Sequence, residues 1–273
     1  YEILKKGGNA IDASVAVGFA LAVTLPRAGN LGGGGFILIY DKDKDEVSSI
    51  DYRSAAPKSA TSDLFLNGDQ VVRFGHLVNA VPGSVAGLLK AHEDYGTFPL
   101  SALLKPAIRL AKDGFEVTYD LNFVLEWGKE SMLANPSSKN KFYESSGDPI
   151  KVKSNFIQPT LAKTLFMISK TGSDIFYKGE IAQWISEESL SNGGLITLED
   201  MASYEAKYRE PIEVSYRGYR IVSMPPAASG GLVLLQTLNI LENFDLKEFG
   251  HNSAQTIHIL SEAMQRAYAD RAE

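Results

Sequence analysis

Arg53 is a residue whose type and position could present a planar cation to a carboxylate. It follows an apolar run ending in Ile50-Asp51-Tyr52 and precedes Ser54-Ala55-Ala56-Pro57, downstream of four consecutive glycines, Gly32 to Gly35. An arginine at a strand end, beside a glycine-rich turn, can offer both arms of its planar guanidinium to a carboxylate. The plainer reading is an ordinary ion pair with Asp51 or another acid. Other chemistry-bearing patterns fall short of a site. Asp41-Lys42-Asp43-Lys44-Asp45 opens like a calcium loop, but Glu46 stands where glycine is required and Tyr52 where the closing glutamate is required. A charged hairpin tip accounts for it better. Gly32 to Gly35 precedes a strand and lacks the Lys-Ser/Thr pair of a phosphate-binding loop. Ser229-Gly230-Gly231 stands at a helix start, where an anion could sit, but a cap with a tight turn is the better account. His76, His92, His251 and His258 show neither metal-ligand nor triad spacing. With no cysteine there is no disulfide, thiolate metal site or cysteine nucleophile. No metal or cofactor is expected.

The elements that must position Arg53 can be read from period and punctuation. Lys5-Lys6-Gly7-Gly8 ends a helix, with cations in its last turn and glycines after it. Asn9 caps the next helix, with Asp12 near the positive end of its dipole. That helix is apolar nearly all round to Leu25, which predicts burial on most sides. It is too short to span a membrane comfortably and carries Asp12. Phe36 to Tyr40 and Val47 to Tyr52 read as a hairpin, and the glycines before it imply that a backbone or a substrate approaches closely. From about Ser84 to Leu190 the pattern is mainly helical, with segments at Val85–Tyr95, Leu104–Lys112, Leu161–Thr171 and Gly179–Leu190. Thr197 to Asp200 resembles a capping box. Ile212 to Val222 reads as a second hairpin, expected to join the first in one sheet. Helices follow from Leu232 to Leu241 and from Ser253, the latter with Ile257, Leu260, Met264 and Ala267 on one face. Strands, helices, strands and helices make an α+β class.

The 273 residues suffice for a sizeable core, and 27 cations against 33 anions give a net charge of −6. Basic residues are scattered, so no nucleic-acid partner is expected. The chain reads as a single domain, residues 1–273, whose two ends look cut.

A series of blocks resembles the gamma-glutamyltransferase family. In order these are Gly7-Gly8-Asn9-Ala10-Ile11-Asp12-Ala13, Gly32-Gly33-Gly34-Gly35-Phe36, Asp51-Tyr52-Arg53 and Val81-Pro82-Gly83-Ser84-Val85-Ala86-Gly87. There follow Pro106-Ala107-Ile108-Arg109-Leu110-Ala111, Tyr177-Lys178-Gly179, Gly193-Gly194-Leu195-Ile196-Thr197, Ser223-Met224-Pro225-Pro226 and Ala263 to Arg271. The resemblance runs end to end and implies most of a large subunit. It further implies part of a four-layer αββα N-terminal-nucleophile hydrolase sandwich, formed when a precursor cleaves itself into large and small subunits. The small subunit's new N-terminal threonine would attack the gamma-carbonyl of glutathione or a related gamma-glutamyl amide, its own α-amino group serving as base. The glutamyl-enzyme would then pass to water, an amino acid or a peptide. By matching position, the resemblance implies that Arg53 would be the family's arginine that grips the substrate α-carboxylate. No catalytic residue lies in this chain, which alone is expected to be inactive; Thr118 and Thr197 read as caps. The family commonly has glutamate directly after this arginine, where Ser54 stands here. Ser54 therefore keeps open an acylase or a poly-gamma-glutamate depolymerase on the same fold. A non-catalytic gamma-glutamyl-binding relative is a further alternative. The resemblance implies a periplasmic or secreted location.

Overall fold

The computed structural model describes residues 1–67 and 70–273. Its contacts divide them into two compact units, residues 1–35 with 52–206 and residues 36–51 with 207–273.

The first unit is largely helical. Its helix Ala10–Thr24 starts in a full capping box: the Asn9 side chain accepts the Asp12 N–H at 2.8 Å, and Asp12 accepts the Asn9 N–H at 2.9 Å. Asp12 does more than the sequence implies. It is fully buried and also accepts the N–H groups of Thr97 and Phe98, at 2.9 and 3.1 Å, and the Thr97 hydroxyl at 2.6 Å. One carboxylate thus locks the helix start to the connection between helices Ser84–Tyr95 and Leu100–Asp113. Helix Leu100–Asp113 packs on Ala10–Thr24 and on Pro159–Thr171, burying Phe19, Leu103, Leu104, Leu165 and Ile168 completely. Gln158 stitches this layer: its side-chain amide donates to the Val23 carbonyl at 3.0 Å and its backbone N–H to Ala111. The prediction that helix Ala10–Thr24 is buried on most sides holds only in part. Val17 and Leu21 are exposed, because no described element covers that face.

A satellite core gathers Val117, Leu121, Leu125, Tyr143 and Phe156. Thr118 caps helix Tyr119–Trp127, accepting the Leu121 N–H. Thr197 and Asp200 form the expected capping box for helix Leu198–Ala202.

In the second unit, strands Phe36–Asp41 and Glu46–Asp51 form the first expected hairpin, with Ile37 opposite Ile50 and Ile39 opposite Ser48. At its tip, Asp41 pairs with Lys44 at 3.3 Å and accepts the Asp43 N–H. The second hairpin, Ile212–Tyr216 with Tyr219–Ser223, turns at Arg217-Gly218, where both residues have positive φ as a two-residue hairpin loop demands. It does not join the first hairpin. The third strand of that sheet is the unpredicted Lys207–Arg209, antiparallel to Glu46–Asp51, and the second hairpin forms a sheet of its own. Glu210 and Pro211 separate the two sheets, and proline has no N–H for a ladder.

The helix expected from Leu232 starts earlier. It begins at Ser229 and runs to Leu241, and Ser229 supplies no cap. Gly231 lies within its first turn because the helix passes against Met224, whose carbonyl a Cβ would overlap. The last helix, Ala254–Ala272, starts where expected, and Ser253 caps it. It packs on Ser229–Leu241 through Ala263 and Ala267, while Ile257, Leu260 and Met264 remain exposed.

Candidate functional site

Arg53 lies in the first unit, in a backbone segment fixed along its whole length. Tyr52 and Gly35 exchange both backbone hydrogen bonds, at 3.0 and 3.2 Å. The glycine run is needed for this approach. A Cβ on Gly34 would lie 2.6 Å from the Tyr52 carbonyl oxygen, and one on Gly35 2.8 Å from the Tyr52 ring. The close neighbour expected at the glycines is therefore the backbone that carries Arg53. Gly33 in turn accepts the N–H groups of Gly83 and Ser84, at 2.7 and 3.0 Å, at the start of helix Ser84–Tyr95. Gly83 and Gly87 clear space on that helix: a Cβ on Gly87 would overlap the Tyr52 side chain, and one on Gly83 the Tyr52 carbonyl and Tyr204 hydroxyl. Burial raises the Tyr52 phenol above its ordinary range, so it stays neutral.

Beyond Arg53, Ala55 and Val81 exchange two hydrogen bonds at 2.8 and 3.1 Å. The Lys58 N–H donates to buried Asp200 at 2.9 Å, and the Lys58 ammonium meets Glu199 at 2.6 Å. Burial opposes ionisation of Asp200. Hydrogen bonds from the Thr197 side chain and from the backbone of Lys58 and Thr197, with the Lys58 charge, nonetheless hold its carboxyl below the usual range.

Between these anchors the Arg53 carbonyl accepts the Tyr204 hydroxyl at 2.8 Å. The Tyr204 ring stacks on Tyr177, with centroids 5.5 Å apart and planes 11° apart. Tyr177 is buried; its hydroxyl donates to the Pro82 carbonyl at 2.8 Å and accepts the Ala86 N–H at 3.1 Å. Burial pushes its phenol far up, so it remains a neutral donor.

Asp51, the acid suggested as an alternative partner for Arg53, pairs with Arg209 at 3.1 Å. The Arg53 side chain is exposed. Grooves of about 520, 450 and 430 Å³ elsewhere in this unit are lined around Trp127, Trp184 and Lys178, and Arg53 borders none of them. The geometry is a rigid backbone carrying a cationic fork, suited to holding a carboxylate. The Thr118 and Thr197 hydroxyls are engaged in caps. His92 meets the Phe98 carbonyl at 2.7 Å, and His76 lies 3.4 Å from Glu188. Among the described residues no cluster of acidic and histidine side chains could hold a metal ion. No described helix is long and apolar enough to cross a membrane.

The sequence singles out Arg53 but does not show the contacts that Tyr177, Tyr204 and Asp200 make around its backbone. Tyr177 stands in Tyr177-Lys178-Gly179 and Asp200 in the cap at Thr197, but neither pattern reveals a contact so distant in sequence. Tyr204 carries no local signal.

The family model for Gamma-glutamyltranspeptidase matches residues 1–273. The chain is 49% identical over 277 residues to the glutathione hydrolase proenzyme of Escherichia coli K12, covering 100% of this chain and 48% of that protein. It is 42% identical over 283 residues to a glutathione hydrolase proenzyme of a Pseudomonas species, covering 99% and 48%. The chain thus spans about half the length of these curated relatives. The crystal structure of Helicobacter pylori gamma-glutamyltranspeptidase superposes with a TM-score of 0.96 at 44% identity, over 99% of this chain and 79% of that one. The α+β expectation holds, and the fold is that of the N-terminal-nucleophile hydrolases. The match along the whole sequence and the shared fold together make this chain a member of the gamma-glutamyltranspeptidase family.

Proposed function

We propose that the protein containing this chain transfers a gamma-glutamyl group from glutathione or a related gamma-glutamyl amide to water, an amino acid or a peptide. In this reading a small subunit, outside the chain, supplies an N-terminal threonine. Its hydroxyl attacks the gamma-carbonyl, the amine of the donor departs, and the acyl group then passes to the acceptor. This chain contributes half of the sandwich and the carboxylate anchor. One observation carries its role: the Arg53 backbone is held on both sides while its side chain is exposed. A fixed backbone narrows the region the guanidinium can sweep, so less freedom is lost when it meets a carboxylate. The relatives' names as glutathione hydrolase proenzymes support the donor and the processing. A periplasmic or secreted location belongs to the same proposal and rests on the family; cell fractionation checks it, and activity confined to the cytoplasm would refute it.

The test is Arg53→Ala in the complete gene product, followed by release of a gamma-glutamyl anilide. Removing one partner of a desolvated charge pair costs about 2–5 kcal/mol, so kcat/KM should fall by at least about thirtyfold, chiefly through KM. Arg53→Lys should also be poor, since an ammonium cannot form the two-armed contact. Turnover by Arg53→Ala within about twofold of the parent would refute the role, since a lost ion pair of this kind cannot be so cheap.

A further inference from the structure

The carboxylate contact does not account for the stacked tyrosine pair behind Arg53. Tyr204 lies 151 residues from Arg53, yet its hydroxyl donates to the Arg53 carbonyl. Two further features serve this hydrogen bond. Gly83 has no Cβ where one would overlap the Tyr204 hydroxyl. Tyr177 holds the Tyr204 ring face to face and is itself pinned by two hydrogen bonds to the segment 82–86. Tyr177 is buried, but Tyr204 is only half-buried, so filling the core does not explain a hydroxyl at its tip.

We infer that Tyr204 is a positioning residue for the gamma-glutamyl reaction, fixing the Arg53 peptide so that the guanidinium meets the donor carboxylate in register. The inference rests on the reading of Arg53 as the carboxylate anchor. An arginine side chain is a long, flexible lever, and a small rotation of its peptide moves the guanidinium further than the backbone. A displacement of about 1 Å at a binding group can cost a large factor in rate. The hydrogen bonds at Tyr52 and Ala55 hold the flanking residues. The Tyr204 hydroxyl bonds the Arg53 carbonyl itself.

The experiment compares Tyr204→Phe, Arg53→Ala and the double variant in the complete gene product, using a gamma-glutamyl anilide and thermal melting. Phenylalanine keeps the ring stack and removes only the hydroxyl. The expected result for Tyr204→Phe is a rise in KM of about five- to tenfold, the loss of one hydrogen bond, with kcat within about twofold. Because the hydroxyl acts through the guanidinium, the same substitution in the Arg53→Ala background should leave the residual turnover unchanged. An unchanged KM in Tyr204→Phe, with Arg53→Ala impaired, overturns the inference and leaves the reading of Arg53 intact. Equal losses in the parent and Arg53→Ala backgrounds, accompanied by a lowered melting point, identify a merely structural tyrosine and also overturn it. A fully active Arg53→Ala removes the reading and the inference together.

Discussion

Asp12 illustrates how strongly surroundings decide what a side chain does. Burial by itself would raise its pKa. Hydrogen bonds from the Thr97 hydroxyl and the N–H groups of Phe98, Asn9 and Thr97 outweigh burial and bring it down to about 2. Its folded pKa therefore lies below its unfolded value. The stability it contributes is present above about pH 4 and is lost as the pH falls toward about 2, an effect of about 2 kcal/mol. Asp12→Asn should lower the melting point of the complete protein at pH 6, and the deficit should shrink as the pH falls from about 4 to about 2, where the aspartate protonates. A deficit independent of pH would show that the charge contributes nothing. The local sequence shows Asp12 only as a residue near a helix start. Thr97 and Phe98 lie 85 and 86 residues away, and no local pattern reports such a contact. Arg53 was legible as a cation at a strand end, whereas the hydroxyl that steadies its carbonyl comes from the far end of the unit.

Among the elements, helix Ser84–Tyr95 shows glycine serving packing rather than flexibility. In an open helix Gly→Ala gains about 1 kcal/mol. At Gly87 the sign should reverse, because a Cβ would overlap the Tyr52 side chain close to its own backbone, where it cannot swing away. Overpacking of this kind costs about 1–3 kcal/mol, so Gly87→Ala should lower the melting point and raise KM by displacing the segment that carries Arg53. A raised melting point would mean that Tyr52 moves freely. Local chemistry made many elements readable: the caps at Asn9, Thr118 and Thr197, the helix start near Ser253 and both hairpins are where side-chain type and period place them. What local chemistry could not show was pairing. Lys207–Arg209, only three residues long, gives too short an alternation to recognise, yet it completes the first sheet. The start at Ser229 was hidden because Ser-Gly-Gly reads as a turn until Met224 is known to lie against Gly231.

Across the whole chain, exposed apolar side chains follow the same division of labour. Val17 and Leu21 in the first unit, and Leu232, Leu234, Ile257, Leu260 and Met264 in the second, are exposed on helices whose other faces are buried. A helix apolar on a face that nothing covers is suited to a further packing partner. The small subunit of the proposed enzyme is our candidate for that partner. Period and composition could predict that these helices are apolar, but not which of their faces the chain itself covers. The chain is proposed to be the anchor-bearing part of a self-processed gamma-glutamyl enzyme. The most direct test is a mass spectrum of the complete purified gene product, taken alongside a gamma-glutamyl anilide release assay. The predicted result is two subunits, the smaller beginning with threonine, together with release of the anilide. A single uncut chain that releases nothing would contradict it.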